Sequence, residues 1–162
     1  MKPSERGFSL IELLIVVAII LVVAAIAIPM LFQSKMAANE SVTVANLKAI
    51  NAGLSIYNIT YPTCGFPDSL TRLAAGTPPN SANAGLLDPT MANDNFDKSG
   101  YRFSYVLTQG VGDCTGTLGA AYEVEARPVI LDKTGRRGFY TDVTQVIRAD
   151  RDGDAEPTSP PI

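Results

Sequence analysis

The sequence predicts an α+β chain in which one long N-terminal helix carries a C-terminal antiparallel β-sheet. Three patterns lead to this. Twenty-two residues without a charge lie between Glu12 and Lys35, inside an apolar run that continues to Phe32. From Gln33 the pattern becomes amphipathic, with Val44, Leu47, Ile50, Leu54, Tyr57 and Tyr61 recurring at spacings of three and four. Beyond Tyr101 the period drops to two, as Tyr101, Phe103, Tyr105 and Leu107 alternate with Arg102, Ser104 and Val106.

The apolar run slightly exceeds the roughly 20 residues a helix needs to cross a bilayer core. Glu12 sits near its start, and a carboxylate inside such a run costs about 2.5–3.5 kcal/mol at mid-span. An acid retained there calls for a partner. Pro29 removes one backbone hydrogen bond and crowds the preceding turn, so a bend or weak point is expected around Ala25 to Phe32. With no other breaker before Tyr61-Pro62, residues Phe8 to about Ile59 read as one helix, with Lys35, Asn39, Glu40, Asn46, Lys48 and Asn51 on faces away from the apolar stripe.

Asp68 or Ser69 is placed to cap a short helix carrying Leu70 and Leu73. Residues 76–100, rich in Gly, Pro, Asn and Ser, read as a long surface connection. A second strand is expected at Tyr122–Ile130, with Tyr122, Val124 and Ala126 on one face. A closing hairpin is expected from Gly138–Thr141 and Gln145–Arg148 around Asp142-Val143-Thr144. The inner faces of these strands need a cover, and the stripe from Leu47 to Tyr57 is the long apolar surface available.

The chain has 162 residues and a net charge of −3, mildly acidic, so nucleic acid is not expected as a partner. It contains no His, which excludes histidine-based acid–base chemistry and His metal ligation. No Gly-x-Ser-x-Gly, phosphate-binding Gly loop or zinc spacing occurs, so no enzyme activity and no cofactor are expected. The two cysteines, Cys64 and Cys114, lie downstream of the span. In an exported domain they pair as one disulfide, closing a loop of about fifty residues worth about 4 kcal/mol on a chain-entropy estimate. Two separate buried thiols are the alternative. Lys2 and Arg6 precede the span and favour a cytoplasmic N-terminus, which sends the C-terminal part outside.

Gly7, Phe8, Glu12 and the long apolar helix after them follow a short basic segment, Met1 to Gly7. In order and spacing this resembles the type IV pilin superfamily, which includes pilus subunits and the pseudopilins of type II secretion. The resemblance is close over about residues 1–40 and architectural beyond. It implies a leader at 1–7, a transmembrane and filament-core helix at 8–34, an amphipathic second half at 35–60 and a globular head at 61–162, together the pilin fold. It further implies cleavage between Gly7 and Phe8 by a prepilin peptidase, N-methylation of Phe8, and assembly through Glu12 and Pro29 into a helical homo-oligomer. Partners implied are membrane lipid before assembly, an inner-membrane assembly platform and an assembly ATPase. The location implied is the bacterial inner membrane for the single-pass precursor, with a periplasmic head, and an extracellular pilus after assembly. Cleavage removes Lys2, Glu5 and Arg6, a net +1, and so takes the charge from −3 to −4. It leaves a cationic amine one helical turn from Glu12, within the subunit or on the next one, where such a pair selects register.

Two bland readings compete at the N-terminus. An export signal with its site at Ala25-Ile26-Ala27 would need an apolar core longer than the usual 7–15 residues. A plain single-span anchor leaves Glu12 unexplained. For the whole chain the expected function is a pilus subunit; the alternatives are a pseudopilin of a type II secretion system and a membrane-anchored periplasmic binding module. The acids Asp150, Asp152 and Asp154 alternate as in a calcium loop, but lack the EF-hand order and are flanked by Arg148 and Arg151, so a solvated acidic tail is the simpler expectation. Arg136-Arg137 reads as a solvated turn pair. Tyr57, Tyr101, Phe103, Tyr105 and Tyr122 read as core.

Overall fold

A computed structural model describes residues 7–112, 114 and 118–162. The leader residues Met1 to Arg6 lie outside the described residues. Helix α1 spans Leu10–Thr60 and includes Pro29 without losing its helical assignment. It is followed by a 3-10 turn, Leu70–Leu73, and five strands: β1 Asn95–Lys98, β2 Tyr101–Gln109, β3 Ala121–Pro128, β4 Gly138–Asp142 and β5 Arg148–Asp150. The strands form one antiparallel sheet in sequence order. The chain divides into two compact units, residues 1–35 and 36–162.

In the second unit the sheet packs on the apolar stripe of α1, as the period-two and period-3.6 patterns require. Leu47, Ile50, Leu54 and Tyr57 share one core with Tyr101, Phe103, Tyr105, Tyr122, Val124, Ala126 and Phe139. Phe96 stacks on Phe103 and Phe66 meets Tyr122 edge-on, geometries that add to the area they bury. Burial pushes the Tyr101, Tyr105 and Tyr122 phenols up from their ordinary value, so they stay protonated and donate. Tyr101 reaches the Arg137 carbonyl at 2.8 Å, and Tyr105 the Pro67 carbonyl at 2.5 Å.

Several local expectations shift. The stretch 76–100 is more than a surface connection, because Ala84, Leu87 and Met91 are buried and β1 adds an edge strand to β2. Its short, mixed pattern carries too few alternating residues to announce a strand. The last hairpin pairs Gly138–Tyr140 with Arg148–Asp150, later than expected, because Gln145 takes a positive φ of 62° and extends the turn.

The helix also buries polar residues expected to face elsewhere. Asn51 and Asn46 are buried, and Glu40 and Asn39 are partly covered. Their spacing with Thr43, Leu47, Ile50 and Leu54 puts them on the sheet-facing side, and partners on the sheet stabilise them. Asn51 Nδ2 donates to Thr141 Oγ1 at 2.9 Å, while the Tyr122 hydroxyl donates to Asn51 Oδ1 at 3.1 Å. Glu40 holds the turn between β3 and β4. It accepts the Arg136 amide at 3.0 Å, the Arg137 amide at 3.3 Å and Arg137 Nε at 2.8 Å. Arg137 is therefore an anchored ion-pair partner and not a freely solvated charge.

Candidate assembly and processing site

Among the described residues of the first unit, nearly every side chain of the helix is exposed. Ser9 precedes the helix, and its carbonyl accepts the Glu12 amide at 3.1 Å and the Leu13 amide at 3.2 Å. Ser9 is therefore the N-cap, and Glu12 stands at the third helical position, the Ser-x-x-Glu spacing of a capping box. An acid in the first turn also complements the positive end of the helix dipole. The motif is legible in Ser9-Leu10-Ile11-Glu12, and it gives Glu12 a local electrostatic role besides the expected pairing with the Phe8 amine. Phe8 itself is 77 % exposed. Gly7 and Phe8, on either side of the expected cut, are exposed and outside the helix.

Beyond Glu12 nothing polar interrupts the surface until Gln33. Leu10, Leu13, Leu14, Val17, Ala18 and Leu21 line a shallow apolar groove at helical spacing. The helix Leu10–Thr60 is long and apolar enough in its first half to cross a membrane, and none of its most apolar window is buried. A helix apolar all round needs lipid or like helices as its solvent. Pro29 lies in this face and cannot donate to the Ala25 carbonyl. Five residues later Ser34 Oγ donates to the Met30 carbonyl at 3.0 Å.

In the second unit Cys64 and Cys114, fifty positions apart in sequence, are joined as a disulfide. It fastens the segment after α1 to the loop between β2 and β3. Next to it the backbones of Gly65 and Gly119 bridge, with the Gly119 amide donating to the Cys64 carbonyl at 2.9 Å and the Phe66 amide to the Gly119 carbonyl at 2.8 Å. Gly65 has φ +71°, and a Cβ there would run into the Gly119 backbone, so the approach needs glycine on both sides.

The three acids of the C-terminal segment are held apart. Asp150 Oδ1 accepts the Asp152 amide at 3.1 Å, and Asp154 pairs with Arg127 Nη2 at 2.8 Å. Among the described residues no three Cys, Asp or Glu side chains converge as metal ligands would.

Residues 2–28 match the family described as the prokaryotic N-terminal methylation motif. The type IV major pilin protein PilA of Myxococcus xanthus is 52 % identical over 49 residues, covering 30 % of this chain and 22 % of that protein. Type II secretion system core protein G of Klebsiella michiganensis is 32 % identical over 65 residues, 38 % of this chain and 46 % of that protein. The core protein G of Dickeya chrysanthemi is 33 % identical over 66 residues, 39 % and 43 % respectively. Each match spans less than half of the relative's own length. No solved structure matches. The N-terminal segment thus carries the prokaryotic N-terminal methylation motif, and parts of the chain are similar to a type IV pilin and to type II secretion core proteins.

Proposed function

We propose that this chain, with the N-terminal methylation motif of the pilin and pseudopilin superfamily, is a structural subunit of an extracellular type IV pilus. The observation that carries the reading is the bare apolar helix from Leu10 to Phe32 with a single carboxylate in its first turn. A precursor held in the inner membrane by this segment, with its disulfide-bonded head in the periplasm, loses residues 1–7 to a prepilin peptidase and gains a methylated amine on Phe8. An assembly platform and ATPase then move it from lipid into a bundle of sister helices. Burial changes little in that step, since lipid tails and neighbouring helices are equally apolar. Packing and the pairing of the Phe8 amine with Glu12 of a neighbouring copy must therefore set the geometry. A subunit displaced along the bundle leaves one charge unpaired in an apolar surrounding. Pro29 supplies a site where the helix can yield during packing.

A second reading, a pseudopilin of a type II secretion system, is favoured by the two core protein G matches, which cover more of the chain than the PilA match. The disulfide favours the pilus. The mass of the mature N-terminal peptide tests the shared part: a methylated Phe8 start is expected, and a start at Ile28 refutes it. Surface filaments containing the protein then support the pilus, and a secretion defect without filaments the pseudopilin.

A further inference from the structure

Within the second unit, helix α1 carries two apolar stripes, and its own chain uses one of them. Leu47, Ile50, Leu54 and Tyr57 enter the core with the sheet. On the opposite side Val42, Ala45, Ala49, Ala52, Ile56 and Ile59 are all exposed, the three branched residues by 43, 48 and 79 %. Single apolar residues on a surface are ordinary, but six in one unbroken row are not. Their steps of three, four, three, four and three residues are those of the a and d positions of a heptad, with Val42, Ala49 and Ile56 at a. A row of that period is what a second helix packs against, knobs into holes.

Both flanks of the seam are held in place. Gln145 Nε2 donates to Ser55 Oγ at 2.6 Å, which fixes the turn between β4 and β5 along one side. On the other, the Leu86 carbonyl lies 3.5 Å from where a Cβ on Gly53 would stand. Between Val42 and Ile59 the only charged residue is Lys48. In a parallel pair in register each seam residue meets its own counterpart, and Lys48 comes beside Gly53 of the second copy. Antiparallel pairing of the same stretch brings Lys48 beside Lys48, a juxtaposition that is strongly unfavourable. The three alanines let two helix backbones approach closely. The face is therefore complementary to itself in one orientation.

We infer that this outward seam of α1 is the contact between two copies of the chain, paired parallel and in register before they enter a filament. The inference takes from the reading of the apolar run as a membrane span only the confinement of both copies to one bilayer, which raises their effective concentration as a tether does. A seam of fewer than three heptads, half of it alanine, makes a weak contact by itself, so the pair forms on the membrane and parts readily. Such a pair is isologous and closes on itself, so it cannot propagate into a filament. The balance between pair and single subunit then regulates how much precursor is free for assembly.

Cys64 and Cys114 are joined to each other, so a cysteine introduced on the seam is the one free thiol of the chain. The full-length variants Ala45→Cys, Ala49→Cys and Ala52→Cys are reconstituted into phosphatidylcholine vesicles and oxidised with copper phenanthroline, with Asn95→Cys, exposed on β1, as the background. Each seam variant should give covalent dimer well above that background. Adding Ala49→Glu to Ala45→Cys should lower the yield by more than about tenfold, because two carboxylates then face each other in the seam. Ala49 is exposed, so the melting point should not move. If no seam cysteine exceeds the background, the pairing is overturned. Ala45→Cys joining Val17→Cys in a mixed sample better than itself identifies the apolar run of a neighbour as the occupant, and Val42→Cys joining Ile56→Cys but not itself identifies an antiparallel pair; either result defeats the inference. Val17→Cys also reports on the span. If it is sealed from a membrane-impermeant maleimide while the seam gives no dimer, the pairing falls and the span stands; if it is labelled, the span falls and the membrane pairing with it.

Discussion

Replacing Glu40 by alanine should loosen the β3–β4 turn from helix α1. The carboxylate accepts two backbone amides and one guanidinium nitrogen, and its side chain is 12 % exposed, whereas Arg137 is 43 % exposed. Once Glu40 is gone, water can reach the Arg136 amide and the guanidinium, so the amide bonds contribute about 0.5–1 kcal/mol each. The half-exposed ion pair adds less than about 1 kcal/mol. The expected loss is about 2 kcal/mol, a drop of roughly 5–10 °C in the melting of the head. Burial pushes the Glu40 carboxyl up, but the Arg136 amide and the Arg137 guanidinium and amide outweigh it and hold the group below its usual range. A lowered folded value means that the stabilisation is complete above the ordinary carboxylate range and fades as pH falls through the folded value. The melting-point gap between wild type and Glu40→Gln, followed by circular dichroism on the full chain in detergent, should be flat near neutrality and shrink in acid. A loss under about 0.5 kcal/mol for Glu40→Ala, or a gap unchanged down to strongly acidic pH, would refute the reasoning.

Other outcomes follow from the same geometry. Glu12→Ala should leave cleavage after Gly7 intact, seen by peptide mass, yet sharply reduce assembled filament; unchanged assembly removes the proposed amine pairing. Cys64→Ser with Cys114→Ser frees a loop of fifty residues and should cost up to about 4 kcal/mol in denaturant unfolding. Asn51→Ala strands the buried Thr141 and Tyr122 hydroxyls and should cost about 2–3 kcal/mol. Asn46→Leu, by contrast, replaces a buried amide nitrogen that has no partner among the described residues and should be neutral or stabilising by about 1 kcal/mol, a sign that thermal melts can check.

Much of this molecule is local, and local features are legible in a sequence. The apolar run, its first-turn acid and the period-two strands from Tyr101 and Tyr122 each depend on neighbours within a few residues. The cap at Ser69, which accepts the Thr71 amide, is of the same kind. The Ser9-x-x-Glu12 cap was equally readable, though the charge of Glu12 draws attention away from it. Strand β1 was not readable, because four residues of mixed character become a strand only when β2 offers an edge.

The sequence by itself determined that an apolar rod leads into an amphipathic helix, and that a short antiparallel sheet must cover that helix, since side-chain period and length are written along the chain. Only the tertiary structure decided which polar residues face inward. Asn39, Glu40 and Asn51 look like solvent-facing positions until Thr134, Arg137 and Thr141, some ninety to ninety-seven residues away, supply their partners. A polar group is buried or exposed according to whether a partner arrives, and that depends on the register of the sheet on the helix, which no local pattern encodes.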